Sequence, residues 1–173
     1  MWDATYRLSA LPLTQNKPMS LKYYFEDFVP GTVWEMQGPV LTKEEIVDFG
    51  SKFDPQYFHV DEVAARRSRY GGLIASGWHT VSLCMRMMCD RYLSEAASLG
   101  SPGVDHVRWL HPVRPGDRLR MKMTVIEAKI SRTKPDRGSV QHRWEVYNQD
   151  DRLVMTMDGY GILSRRPSPA RDP

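Results

Sequence analysis

The chain of 173 residues holds only two cysteines, Cys84 and Cys89, five positions apart in one apolar stretch. Thiols so placed form neither a disulfide framework nor a metal-ligand pair of known spacing, so both are expected to be reduced and buried. No apolar run approaches the roughly 18 residues that a membrane helix needs. The amino terminus, MWDATYRLSALPLTQNKPMS, lacks the basic start and apolar block of a secretory signal, so a cytoplasmic location is expected. Charge of one sign is scarce too. The formal net charge is +3, and it shrinks further in the folded part because Arg165, Arg166 and Arg171 lie in a Pro/Ser-rich tail. A nearly neutral folded part argues against a nucleic-acid surface, which shows a basic stripe with interleaved aromatics.

What remains is the composition of one ordinary globular domain with its own core. Residues 1–18 show no periodicity and end just before a second methionine, Met19, so they read as a flexible arm or a mis-called start. The domain is expected over 19–163, with a disordered tail over 164–173. VWEMQGPVLT, 33–42, reads as a strand preceded by the turn residues Pro30 and Gly31. Thr42 and Glu45 then make a capping box for a helix to about Phe53, with Ile46, Val47, Phe49 and Phe53 largely on one side. Pro55 drives Asp54 out of helical dihedrals, leaving FDPQYFH as an irregular turn before a short helix capped by Asp61.

A long run, 77–99, carries few charges until its far end and reads as a helix buried nearly all round. Four strand-like segments follow within 104–163. In one of them Leu119, Met121, Met123 and Val125 alternate with Arg118, Arg120, Lys122 and Thr124; in the next Val140, His142, Trp144 and Val146 share a face. PDRG and NQDD supply hairpin turns. Both the helix and the inner face of the sheet must be buried, and one curled antiparallel five-stranded sheet around one helix, an α+β fold, achieves this.

The order of elements, with YFEDFVPG, FDPQYFHVDEVAA, GGLIASGWHT and VRPGD, resembles the hot-dog fold and, within it, the MaoC-like dehydratases or (R)-specific enoyl-CoA hydratases. The family's Asp-x-Asn-Pro-x-His motif is matched in spacing and in both chemical residues by Asp54 and His59, with Gln56 in place of Asn and Tyr57 in place of Pro. The resemblance implies that Asp54 and His59 act together on one water, and that the backbone N–H of Gly77, after Ser76, holds the thioester oxygen. By the same comparison the family's supporting serine falls at Met85, so Asp54 needs another partner, Ser82 or a backbone amide. A homodimer with one continuous sheet is implied as well.

Adding water across a double bond conjugated to a thioester needs a base for the water, an acid for the α-carbon and stabilisation of the enolate oxygen. The catalytic candidates are therefore Asp54, His59 and Gly77, and which of Asp54 and His59 is acid or base stays open. Gln56, Tyr57, Ser76, Trp78 and Arg108 are the candidate substrate contacts, and Arg66, Arg67, Arg69 and Arg114 are further candidates for the phosphates of coenzyme A. No histidine spacing suggests a metal site, and coenzyme A is expected only as part of the substrate. His142 and His79 read as core. Two other functions compete with hydration: a hot-dog thioesterase, whose usual carboxylate at the start of the long helix is absent from ASGWHT, and a non-catalytic acyl-CoA-binding protein.

Overall fold

A computed structural model describes residues 21–167. The expected arm over 1–18, the alternative start at Met19 and residues 168–173 of the tail lie outside the described residues. Five strands form one antiparallel sheet: β1 (Val33–Val40), β2 (Val104–Trp109), β3 (Arg118–Ile130), β4 (Arg137–Tyr147) and β5 (Leu153–Ser164). Their spatial order is β1-β3-β4-β5-β2, so β1 and β2 are the edges. Four helices precede the last strands: α1 (Lys43–Phe53), α2 (Tyr57–Val60), α3 (Glu62–Arg66) and α4 (Gly77–Arg91).

The period-2 pattern explains the sheet. Leu119, Met121, Met123 and Val125 are buried on one face of β3, and Val140, His142, Trp144 and Val146 continue that face on β4. Against it lie Cys84, Met87 and Met88 of α4, all buried. Both cysteines are free, and burial pushes the Cys84 thiol up to about 12, so it behaves as a small apolar side chain. Trp34, Phe28 and Tyr92 close one end of this core, with Trp34 and Tyr92 edge to face at 4.7 Å.

Four details differ from the sequence-based expectation. First, FDPQYFH is not irregular throughout: after the break at Pro55 it forms the single turn α2, which carries His59. Second, α4 ends at Arg91 rather than running to 99. Tyr92 leaves helical geometry, a 3-10 turn follows over Leu93–Glu95, and Ala96 bridges to Tyr23. Third, α4 is not covered all round. Trp78 and Met85 are exposed along one flank, and β2, the edge strand beside it, is exposed at five of its six residues. On α1, Ile46 is fully buried while Phe53 is exposed.

Fourth, the start of the expected tail is bound. Ser164 completes β5, Arg165 donates to Glu26, and Arg166 makes a two-oxygen ion pair with Asp27 while stacking on Tyr24. No helix among the described residues is long and apolar enough to cross a membrane.

Candidate active site

Three chain breaks bring the site together. The Thr42–Glu45 capping box starts α1, and Pro55 stops it, leaving Asp54 as the helix's C-cap with an extended φ of −151°. The turn α2 then lifts His59 back toward that carboxylate. Asp61, whose side chain accepts from the amides of Val63 and Ala64, starts α3 and fixes where α2 ends. Gly50 lets α1 and α2 approach, since a Cβ there would lie 3.0 Å from the Cβ of His59.

Asp54 and His59 face each other, with Nε2 3.3 Å from Oδ2. Nδ1 of His59 lies 2.7 Å from the Ile74 carbonyl oxygen. A carbonyl only accepts, so Nδ1 carries a proton and donates it, and Nε2 is the nitrogen left for chemistry. His59 is buried, at 4% exposure, so its ring cannot swing away. Asp54 accepts from Gln56 Nε2 at 2.8 Å through Oδ1 and from Ser76 Oγ at 2.7 Å through Oδ2. Burial works to raise the Asp54 carboxyl, but those two hydrogen bonds and the neighbouring His59 outweigh it and hold it below its ordinary value. At neutral pH Asp54 is therefore a carboxylate.

Ser76 is the N-cap of α4. The same hydroxyl accepts from Trp78 N at 3.2 Å and donates to Asp54, tying the helix terminus to the carboxylate. Asp54 thus finds its support at Ser76. Ser82 is engaged elsewhere, donating to the Trp78 carbonyl within the helix. Gly77 is the first residue of α4, where an amide has no intrahelical acceptor and the helix dipole favours negative charge. The indole of Trp109 lies over its Cα: a Cβ at Gly77 would sit 2.4 Å from Trp109 Cε2, and Trp109 Nε1 donates to the Gly77 carbonyl at 2.9 Å.

These groups line one open cleft of about 480 Å³. Asp54, His59, Gly77, Gln56, Ser76 and Trp78 all border it. Tyr57 and Arg108 do not. The Tyr57 ring turns out of α2 to pack edge-on against Phe58, and Arg108 bends along β2 to the carbonyl of Val107. Tyr57 is expected as a contact from its place inside the motif and Arg108 as a cation for a coenzyme A phosphate, and here neither side chain borders the cleft. Of the arginines, Arg69 borders the cleft, while Arg114 is committed to the Tyr70 carbonyl.

The Ile74 carbonyl, and the contact of Trp109 with Gly77, are features of the site that the sequence did not reveal. A backbone acceptor has no sequence signature, and Trp109 reaches Gly77 only through the pairing of β2 with β5. His79 packs flat on Phe49 at 4.5 Å, as a core residue, and among the described residues no three metal-ligating side chains converge.

Comparisons with known proteins bear on the family and the fold. The model of the MaoC like domain matches residues 27–146, well over half of the chain. A MaoC-like dehydratase from Rhodospirillum rubrum is 35% identical, with a TM-score of 0.79 over 85% of this chain and 100% of that one. A structure from Archaeoglobus fulgius, described as a monoamine oxidase regulatory protein, is 26% identical, with a TM-score of 0.75 over 86% of this chain and 99% of that one. The uncharacterized protein YdeM of Bacillus subtilis is 28% identical over 73% of this chain and 88% of its own length. With its five-stranded antiparallel sheet around α4, the chain belongs to the MaoC-like domain family of hot-dog proteins.

Proposed function

We propose that the protein adds water reversibly across the double bond of a trans-2-enoyl thioester, giving the (R)-3-hydroxyacyl thioester, with coenzyme A as the carrier. The observation that carries this reading is the pairing of an ionised Asp54 with the Nε2 of His59 at 3.3 Å, beside the amino terminus of α4. Two acceptors so close, each oriented by its own hydrogen bonds, suit a water that donates one hydrogen to each.

In the hydration direction, the water oxygen forms a bond to the β-carbon as the pair takes one of its protons. The electrons of the double bond move toward the thioester carbonyl, and the charge gathering on that oxygen is met by the Gly77 N–H and the positive end of the α4 dipole. The pair then returns a proton to the α-carbon, so one water is consumed and no other reactant is needed. Asp54 and His59 act as one unit in this scheme, whichever of them takes the water proton. Arg69, at the rim, is the cation best placed for a coenzyme A phosphate.

The working form is a homodimer. Trp78, Met85, Val104, Trp109 and Leu110 are all exposed along α4 and the unpaired edge β2, and a hydrophobic edge of this kind is normally covered. A panel of trans-2-enoyl-CoA esters of increasing chain length tests the reading by following the conjugated-thioester absorbance. A thiol reagent in the same reactions tests the competing thioesterase reading, which predicts free thiol and no hydroxyacyl product.

A further inference from the structure

Trp109 reaches the amino terminus of α4 only because β2 is irregular. Val104 lies opposite Gly159 and Asp105 opposite Asp158, yet Arg108 lies opposite Thr156 and Trp109 opposite Met155. His106 and Val107 thus answer to Met157 alone, one extra residue on the edge strand, which is a β-bulge. His106 absorbs it with a φ of 52°, in the left-handed region that residues other than glycine rarely enter. Side chains alternate along a strand, so an unbroken register would put Arg108 opposite Met155 and turn Trp109 to the outer face. With the bulge, Trp109 shares the inner face with Met155, which lies opposite Val146 of β4. Strained bulges that re-aim one side chain toward a cleft cluster at functional sites.

The indole is held in two further ways. Trp78 packs against it edge to face, with ring centroids 5.5 Å apart. Gly77 has no Cβ, so the ring lies directly over its Cα. From there Nε1 donates to the Gly77 carbonyl oxygen at 2.9 Å. In the first turn of a helix a carbonyl already accepts one intrahelical bond, and the indole takes its second lone pair.

That carbonyl belongs to the peptide group whose N–H is that of Trp78. The Trp78 N–H donates to Ser76 Oγ at 3.2 Å, and Ser76 Oγ donates to Asp54 Oδ2 at 2.7 Å. The same carboxylate oxygen lies 3.3 Å from His59 Nε2. An unbroken chain of donors therefore runs from the indole through one peptide group and one hydroxyl to the carboxylate. In such a chain each bond polarises the next, so a donor at the far end strengthens the last bond. Anchoring this peptide also fixes Gly77 itself, and with it the direction of the N–H at the start of α4.

We propose that Trp109 is a positioning residue for the Asp54–His59 pair, its indole N–H anchoring the Gly77–Trp78 peptide and acting through it on Ser76 and Asp54. Its part in turnover rests on the proposed hydration; its hold on the Asp54 carboxylate does not. The groups facing Asp54 are His59 from α2, Gln56 from the turn before it and Ser76 from α4, with Arg69, Tyr70 and His111 around the same cleft. A replacement at Trp109 changes none of them, so a shift in the Asp54 titration reports the chain of donors.

The full-length chain with Trp109 replaced site-specifically by benzothienylalanine tests this, since sulfur takes the place of the indole N–H and the shape is kept. The midpoint of the Asp54 carboxyl, followed by carbon NMR without substrate, should rise by about 0.3 pH unit, because one link of a cooperative chain is lost. The acid limb of kcat/KM should move up in pH with it. Turnover should fall about 10-fold with KM little changed, the pattern of a group misplaced in the transition state. Fluorotryptophan at the same position keeps the N–H and should restore both the midpoint and the turnover. An Asp54 midpoint unmoved by the sulfur replacement would overturn the proposal, because water would then serve the Gly77 carbonyl equally well. So would an equal shift with fluorotryptophan, which would assign the effect to ring packing. If no form hydrates an enoyl thioester while the midpoint moves, the proposed hydration falls and the role of Trp109 at Asp54 stands; hydration by every form at an unmoved midpoint does the reverse.

Discussion

Ser76 is the residue through which the helix terminus and the carboxylate communicate, and its removal separates the two effects. Ser76→Ala deletes an N-cap, which costs about 1 kcal/mol of stability, and it also deletes a donor that lowers the Asp54 carboxyl. A hydratase that needs ionised Asp54 should then lose activity at a higher pH on the acid side than the wild type does, a shift read from the pH profile of kcat/KM. Asp54→Asn and His59→Ala remove the proton-transferring groups themselves. Each should lower turnover by at least about 100-fold while leaving the circular dichroism spectrum and cooperative melting in place. At Gly77 the obstacle is steric. Gly77→Ala puts a methyl group into the Trp109 indole, so a destabilisation of roughly 1–3 kcal/mol by overpacking is expected in denaturant melts.

At the scale of elements, β4 carries a pH dependence that belongs to stability rather than to turnover. His142 has a folded-state pKa of about 4 against an ordinary 6.5, because burial disfavours its charged form. The unfolded chain therefore binds a proton that the folded chain refuses. The contribution of neutral His142 is fully present above about pH 6.5 and is lost as pH falls toward about 4, up to ~3 kcal/mol in all. His142→Phe should flatten that part of the stability curve in urea melts taken between these pH values; an unchanged slope would contradict the burial argument.

Element by element, what could be read from the sequence follows from how local each cause is. The Thr42–Glu45 box, the stop at Pro55 and the Asp61 cap act within four residues, and all three stand where local chemistry puts them. The alternation in β3 and β4 was as plain, because each strand answers to one buried face. The end of α4 was hidden because Tyr92 is apolar enough to continue a buried helix, and it leaves the helix to join Trp34 and Phe28, contacts set by a strand and a turn far away in sequence. In the site, the spacing of Asp54 and His59 was legible. The acceptor for His59 Nδ1, a backbone carbonyl at Ile74, was not. That Tyr57 and Arg108 do not border the cleft was not legible, because the direction of each side chain is set only once the turn α2 and the bulged edge β2 form.

Across the whole molecule, α4 and β2 leave an apolar flank and an open edge on the same side. If a second copy covers them, light scattering should give about twice the 20.0 kDa of the chain. Met85→Glu, which sets a charge in the middle of that flank, should then shift the protein toward monomer in a concentration-dependent way. The central claim concerns the cleft beside that flank, and it is tested most directly by the absorbance of a trans-2-enoyl-CoA panel, measured with wild type and Asp54→Asn together. The account predicts loss of the conjugated-thioester signal with the wild type, no release of thiol, and no change with the variant. An unchanged signal across the panel, or thiol release in its place, would contradict it.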